Sequence, residues 1–181
     1  MVLNDFKLDG KVAIVTGCGT GLGQGMAIGL AEAGADIVGV EIANLEETTR
    51  AIEAAGKRFL PLSADLSSNE PIERIYSAAI EEFGHVDILV NNAGIIRRAD
   101  AVDFTEQDWD DVMNINLKSL FFLSQAFARE LIKEGRQGRV INVASLLSFQ
   151  GGIRVPSYTA AKSGVAGLTR LLANEWAPHG I

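Results

Sequence analysis

Five short apolar runs, each followed by polar or glycine residues and then by a longer helical pattern, constrain this chain more than any other feature. They are Val12–Val15, Ile37–Val40, Phe59–Leu62, Val86–Val90 and Val140–Ala144. A strand with one wet face alternates apolar and polar residues, whereas a strand covered on both faces is apolar nearly throughout. Continuous runs separated by helices therefore indicate βαβ units and a parallel sheet. Helices are expected from the glycine turn after the first run to about Ala33, then over Leu45–Ala55 and Pro71–Phe83. Pro61 has no N–H for a ladder bond, so the third strand belongs at an edge. The expected architecture is α/β: a doubly wound, Rossmann-like parallel sheet of order 3-2-1-4-5 in three α/β/α layers.

The 181 residues, 48% of them apolar, suit one packed core. Sixteen basic residues against 23 acidic ones give a net charge of −7. Such a surface repels phosphate backbones and anionic lipid, so neither a nucleic acid nor a membrane is expected as partner. Cys18 is the single cysteine, which excludes an intramolecular disulfide. No C-x-x-C or H-E-x-x-H occurs, and no metal site is expected. Met1–Lys11 lacks the apolar centre of a signal peptide, and no run of about 18 apolar residues occurs. A cytoplasmic location is expected.

Between the fourth and fifth runs lies one long helical pattern. Thr105 with Asp108 resembles a capping box. Trp109, Val112, Met113, Leu117, Leu120 and Phe121 then recur at helical spacing. Trp109 and Phe121 are expected in the core, and the acidic Asp108, Asp110 and Asp111 on a solvated first turn. Asn116 falls within the apolar stripe, where an unpaired amide costs about 1–3 kcal/mol.

Ligands of open α/β sheets bind beyond the carboxyl ends of the strands, and those ends carry the informative residues. The first run leads into Gly17, Gly21 and Gly23 in the pattern G-x-x-x-G-x-G. Glycines there allow a tight turn, close backbone approach to a pyrophosphate, and a helix N-terminus facing the anion. The second run ends at Glu41, 24 residues after Gly17, near the roughly 20-residue offset at which an acid meets the adenosine ribose. A carboxylate accepts ribose hydroxyls and repels a 2′-phosphate. With Thr20 and Ile42 beside it in place of a cation, the expected cofactor is NAD. Asp65 follows the third run, Asn91–Gly94 the fourth and Ser145 the fifth.

Tyr158 and Lys162 form Y-x-x-x-K after a helix start at Pro156 and Ser157; the spacing places both on one helix face. Free tyrosine ionises only at about pH 10, and a neighbouring ammonium favours the phenolate. Tyr158 is therefore a usable acid or base. His85 and His179 form no triad with it.

On these motifs the chain resembles the short-chain dehydrogenase/reductase family along its whole length. The resemblance rests on Thr16–Gly23, Asn91–Gly94, Asn116, Ser145, and Tyr158 with Lys162. Within the family, Val15–Met26, Asp108–Asn114 and Leu147–Tyr158 are similar to dehydrogenases of deoxy sugar acids. The implied reaction interconverts a hydroxyl and a ketone on 2-dehydro-3-deoxy-D-gluconate or 2-deoxy-D-gluconate. Tyr158 would be the acid/base, Ser145 would hold the substrate oxygen, and Lys162 would tune Tyr158 and bind the nicotinamide ribose. Asn116 would anchor a water serving Lys162; a tether between helix and strand is the other reading. The implied cofactor-binding set is Gly17, Thr20, Gly21, Leu22, Gly23, Glu41, Asp65, Leu66, Asn92, Ala93 and Gly94, with Tyr158 and Lys162. A substrate carboxylate wants a guanidinium; Arg154 is the first candidate and Arg97 the second, with Gln150 and Ser145 also near the substrate. The resemblance further implies a homotetramer built on the long helices around Asn116 and Tyr158.

Residues 1–181 are expected to form a single dinucleotide-binding domain that also carries the catalytic residues. The family continues past the position of Ile181 into further strands, so the C-terminal part is expected to be missing. As it stands, the chain should leave the fifth strand with an open edge, bind cofactor weakly and tend to aggregate. Alternative readings are another dehydrogenase of the family, acting on gluconate or a 3-oxoacyl group, or a nucleotide-binding protein without catalysis.

Overall fold

The computed structural model describes residues 2–181. Five parallel strands, β1 (Val12–Thr16), β2 (Asp36–Glu41), β3 (Phe59–Ser63), β4 (Ile88–Asn91) and β5 (Arg139–Asn142), form one sheet of order β3-β2-β1-β4-β5. The order is the one expected, and Pro61 lies on the edge strand β3, opposite Gly39. Helices α1 (Gly21–Glu32), α2 (Glu46–Ala54) and α3 (Ile72–Phe83) are the crossovers joining β1 to β2, β2 to β3 and β3 to β4.

Alternate residues of β1 serve two different cores. Val12 and Ile14 pack with Val38, Leu89, Ile75, Phe83 and Phe127 on one face. Ala13 and Val15 pack with Ile37, Val90, Ala27, Ala31 and Ile52 on the other. This is why the run shows no polar alternation: neither face meets water. Fully burying one Ile, Leu or Phe contributes about 2–3 kcal/mol, and both faces of the sheet draw on it.

The fourth crossover departs from the single helix expected. It consists of α4 (Glu106–Met113), a π-helical turn over Asn114–Ser119, and α5 (Leu120–Glu134). A π turn is wider than an α turn, so residues four apart stay in line through it. The buried line accordingly runs Val112, Asn116, Leu120 and then Leu123, Phe127 and Leu131. Trp109 lies off that line and is 40% exposed, which corrects its placement in the core. Phe121 is half-buried and meets Phe122 edge-on. Thr105 caps α4 by accepting from the Asp108 N–H (3.1 Å). The Asp108 carboxylate does not complete a box; it pairs with Arg97. Arg97 also reaches Asp111, so two members of the acidic run are ion-paired rather than simply solvated. The last helix, α6 (Pro156–Trp176), packs on α4 and the π turn.

At the opposite end of the sheet from the glycine turn, Asp87 is buried just before β4. Its carboxylate accepts from the Val12 N–H (3.0 Å), Lys11 Nζ (3.2 Å) and Arg136 (3.0 Å), with His85 Nε2 at 3.2 Å. The acid thus ties β1, β4 and the segment after α5 at one point. Asp87→Ala orphans the buried Val12 N–H while the cations can turn to water. Urea unfolding should show a loss of about 2–3 kcal/mol; a loss below about 1 kcal/mol would mean that the cluster behaves as an ordinary surface pair.

Candidate active site

The glycine turn is shaped by contacts that exclude side chains. Gly17 (φ 68°) and Gly21 (φ 58°) are left-handed, which glycine adopts without strain. A Cβ on Gly17 would lie 2.8 Å from the Ala93 Cα, and one on Gly23 would collide with the Gly17 carbonyl. The turn after β1 and the segment after β4 are stitched together. The Thr16 hydroxyl accepts from the N–H groups of Asn92 and Ala93, both at 3.0 Å. Asn92 Nδ2 donates to the carbonyls of Thr16 (3.1 Å) and Gly17 (3.0 Å). Thr20 is extended at the N-cap of α1 and makes no side-chain cap bond, so the first N–H groups of the helix face outward.

Beside this turn lies a cleft of about 130 Å³ lined by Gly17, Glu41, Asp65, Leu66, Ala93 and Gly94 among others. These six were all expected at a dinucleotide. Larger grooves of about 400 and 440 Å³ lie against α3 and α5 and between α5 and α6, away from the strand ends and their chemistry. The cleft suits an adenosine: apolar walls from Leu66 and Ala93, acids at the rim, and a close backbone where a pyrophosphate would lie. Asp65 accepts from the Ser67 N–H (2.8 Å). Glu41 is held by three backbone donors: Gly19 N–H (3.2 Å), Ile42 N–H (2.8 Å) and Ala43 N–H (3.4 Å). Leu22 and Thr20 stand exposed on the same rim.

The second half of the site is built on β5, the turn after it and α6. Ser145 and Ser148 form a reciprocal cap on a short 3-10 turn, the Ser145 Oγ accepting from the Leu147 N–H (3.2 Å) and Ser148 Oγ from the Ser145 N–H (3.2 Å). Ser148 Oγ in turn donates to the Lys162 carbonyl (2.7 Å), which locks the Ser145 turn onto α6. Lys162 is buried, its Nζ donating to the Val143 carbonyl (2.6 Å) and standing 5.8 Å from the centre of the Tyr158 ring. Burial pushes this ammonium below its ordinary value, since desolvation disfavours the charged form. Asn116 is fully buried and spends both ends of its amide on Ile95, accepting from the N–H (2.8 Å) and donating to the carbonyl (2.9 Å). The tether reading is thus observed, joining the π turn to the segment after β4.

The candidate substrate cations are placed differently. Arg97 is held by Asp108 and Asp111. Arg154 is exposed, pairs with Asp100 (2.9 Å) and adopts a left-handed φ of 64°. Gln150 is exposed on the loop between Ser145 and Tyr158.

The whole arrangement matches known proteins. The model of the short chain dehydrogenase family covers residues 11–181. The chain belongs to that family. It is therefore an oxidoreductase acting on CH–OH groups with a nicotinamide cofactor. The dehydrogenase is 63% identical to the 2-dehydro-3-deoxy-D-gluconate 5-dehydrogenase of Escherichia coli K12 over all 181 residues, covering 72% of that protein. It is 64% identical to the enzyme of the same name from Dickeya dadantii, with the same coverage. A solved structure from Agrobacterium tumefaciens, named for 2-deoxy-d-gluconate 3-dehydrogenase and holding NADP, superposes with a TM-score of 0.90 at 56% identity. That match covers 97% of this chain and 70% of the other.

Reading the sequence missed three parts of this dehydrogenase's site. The Val143 carbonyl that receives Lys162 is backbone and carries no sequence mark. Ser148 could have been found as the third residue of an S-x-x-S cap after Ser145. Gly19, buried against Glu41, stood among the turn glycines without a separate role. Cys18, in the same turn, is buried, and desolvation followed by the Glu41 charge pushes its thiol up from about 9 to about 12. A thiol that ionises later in the folded chain than in the unfolded one stabilises the fold below about pH 9 and loses that contribution as pH rises towards 12. Native protein at pH 8 should resist iodoacetamide and become reactive in urea. Rapid alkylation of the folded chain would show that the turn opens.

Proposed function

We propose that this dehydrogenase interconverts a hydroxyl and a ketone on a deoxy sugar acid, 2-dehydro-3-deoxy-D-gluconate or 2-deoxy-D-gluconate, with NAD as its cofactor. One observation carries the reading: Ser148 and Lys162 lock the Ser145 turn and the end of β5 onto α6, the helix that carries Tyr158 with Lys162 Nζ 5.8 Å from its ring centre, on the sheet rim that also holds the glycine turn. The substrate assignment draws on the names of the 63–64% identical relatives.

Residues 1–181 act in this reading as one dinucleotide-binding unit that also carries the catalytic groups. Gly17, Thr20, Gly21, Leu22 and Gly23 hold the pyrophosphate, and Glu41, Asp65, Leu66, Asn92, Ala93 and Gly94 surround the adenosine. When bound, the nicotinamide supplies the hydride acceptor or donor. Tyr158 takes the hydroxyl proton in oxidation and returns it in reduction. Ser145 donates a hydrogen bond to the substrate oxygen, aligning it with the phenol. Lys162 spends one of its three N–H donors on Val143, which leaves two for ribose hydroxyls, and its charge favours the phenolate. Asn116 is a positioning residue that holds the turn beside this network; its amide is occupied by Ile95. Arg154 receives the substrate carboxylate, with Gln150 beside it. Arg97 is the weaker candidate, because two acids, Asp108 and Asp111, hold it where Arg154 meets only the exposed Asp100.

NAD is preferred over NADP because the Glu41 carboxylate sits at the cleft and no cation flanks it at Thr20 or Ile42. The NADP bound in the Agrobacterium protein makes direct comparison of the two nucleotides the necessary check. A cytoplasmic homotetramer completes the reading, with a second copy covering the α5 and α6 faces where Ile132 (38%) and Leu171 (51%) are exposed.

The reading is tested by reduced-nicotinamide absorbance with the two sugar acids, gluconate and a 3-oxoacyl thioester. Turnover with a deoxy sugar acid is expected; turnover with the thioester alone would replace the substrate class. Tyr158→Phe should lower kcat at least about 100-fold with Kd for NAD nearly unchanged, and a loss of NAD binding instead would mean a structural role. Arg154→Leu should raise KM for the acid about tenfold and leave an uncharged sugar unaffected; equal effects on both would remove Arg154 from the site.

A further inference from the structure

Glu41 is unusual among surface acids in being fixed from three sides. Its Oε1 accepts from the Ile42 and Ala43 N–H groups and its Oε2 from the Gly19 N–H. A carboxylate offers about four acceptor sites, so three backbone bonds leave about one for a ribose hydroxyl. Three converging N–H groups make an anion cradle of the kind that also binds phosphate. In this chain the cradle is filled by a tethered carboxylate.

The Gly19 end of the cradle is itself held. Its carbonyl accepts from Gln24 Nε2 (3.3 Å), which also donates to the Thr48 hydroxyl (3.1 Å). That hydroxyl donates to the Cys18 carbonyl (2.9 Å), and Thr48 is fully buried at the start of α2. The Cys18–Gly19 peptide is thereby clamped between α1 and α2, with its N–H aimed at Glu41. The fit at Gly19 is tight enough that a side chain there would press on Glu41. An added Cβ would stand 3.0 Å from the Glu41 Cγ and 3.1 Å from its Oε2. The atoms in the way belong to a flexible side chain, so the strain is relieved by moving the Glu41 carboxylate.

We infer that Gly19, clamped by the Gln24–Thr48 pair, is a specificity-determining positioning residue: its N–H and bare α-carbon seat the Glu41 carboxylate in the backbone cradle, where it excludes a ribose 2′-phosphate both by charge and by occupying the donors that phosphate would use. The inference rests on the NAD preference proposed above. A mobile carboxylate would discriminate less, because its charge would spread into solvent and be screened, and the three donors would be free.

The experiment titrates NAD and NADP separately into the wild-type chain, Gly19→Ala, Glu41→Ala and the double variant, and reads the ratio of the two Kd values. The wild type should favour NAD. Gly19→Ala should lower that preference about tenfold mainly by tightening NADP. Glu41→Ala should lower it at least as far, and adding Gly19→Ala to Glu41→Ala should change the ratio no further, as expected of two residues acting through one group. Equal weakening of both nucleotides by Gly19→Ala, or full additivity with Glu41→Ala, overturns the inference and leaves the NAD reading standing. A wild type that favours NADP overturns the NAD reading first. If Gly19→Ala fails to unfold cooperatively, Thr48→Val gives the same ratio with Gly19 intact; a drop of about threefold supports the clamp, and an unchanged ratio overturns it.

Discussion

All five strands run in one direction, and that constraint organises the molecule. A parallel sheet must be fed by crossovers long enough to return along its face, so each strand after β1 is preceded by a helix at one end, and every strand is followed by a turn at the other. The turns after the strands converge on one rim. Glycines, Glu41, Asp65, Asn92 and Ser145 come from distant parts of the chain and meet because each follows a strand. The opposite rim collects the strand entrances, where Asp87 binds Lys11, Arg136 and the Val12 N–H. Chemistry and bracing are thereby separated by the length of the strands.

On the functional rim, backbone groups do much of the positioning. Asn92 grips the carbonyls of Thr16 and Gly17; Asn116 grips both polar groups of Ile95; Lys162 grips Val143. Each is a side chain that ties a strand end or the segment after a strand to a part of the chain remote in sequence. A loop so held keeps its shape without a packed core beneath it, which a site open to a ligand cannot have. The buried side chains also satisfy backbone groups that would otherwise be orphaned.

How much of this could be read in advance depended on whether the signal was local. The strands, their order and the edge position of Pro61 followed from apolar runs and one missing N–H. The glycine turn and Y-x-x-x-K were legible because their spacing alone carries a geometric demand. The π turn was not, since Asn114–Ser119 keeps helical propensity and the Asn116–Ile95 tether that accompanies it is formed across 21 residues. Trp109 was misplaced although it shares the regular helix α4 with buried Val112, because helical spacing alone does not say which flank of a stripe is covered. Asp87 reads as one acid inside an apolar run, and its two cations, Lys11 and Arg136, are contributed by other segments. Contacts between residues remote in sequence leave no periodic trace.

Arg154 carries a last consequence. Left-handed backbone costs a residue with a Cβ about 1 kcal/mol or more, and Gly151 and Gly152 stand just upstream where that cost would vanish. The strained position is occupied instead by a long cationic side chain, presented on the loop that leads from Ser145 to Tyr158. A loop relaxed by glycine at that point would be easier to fold and would lose its only guanidinium. The conformational energy held there measures what the chain gives up to keep an arginine, ion-paired with Asp100, on that loop.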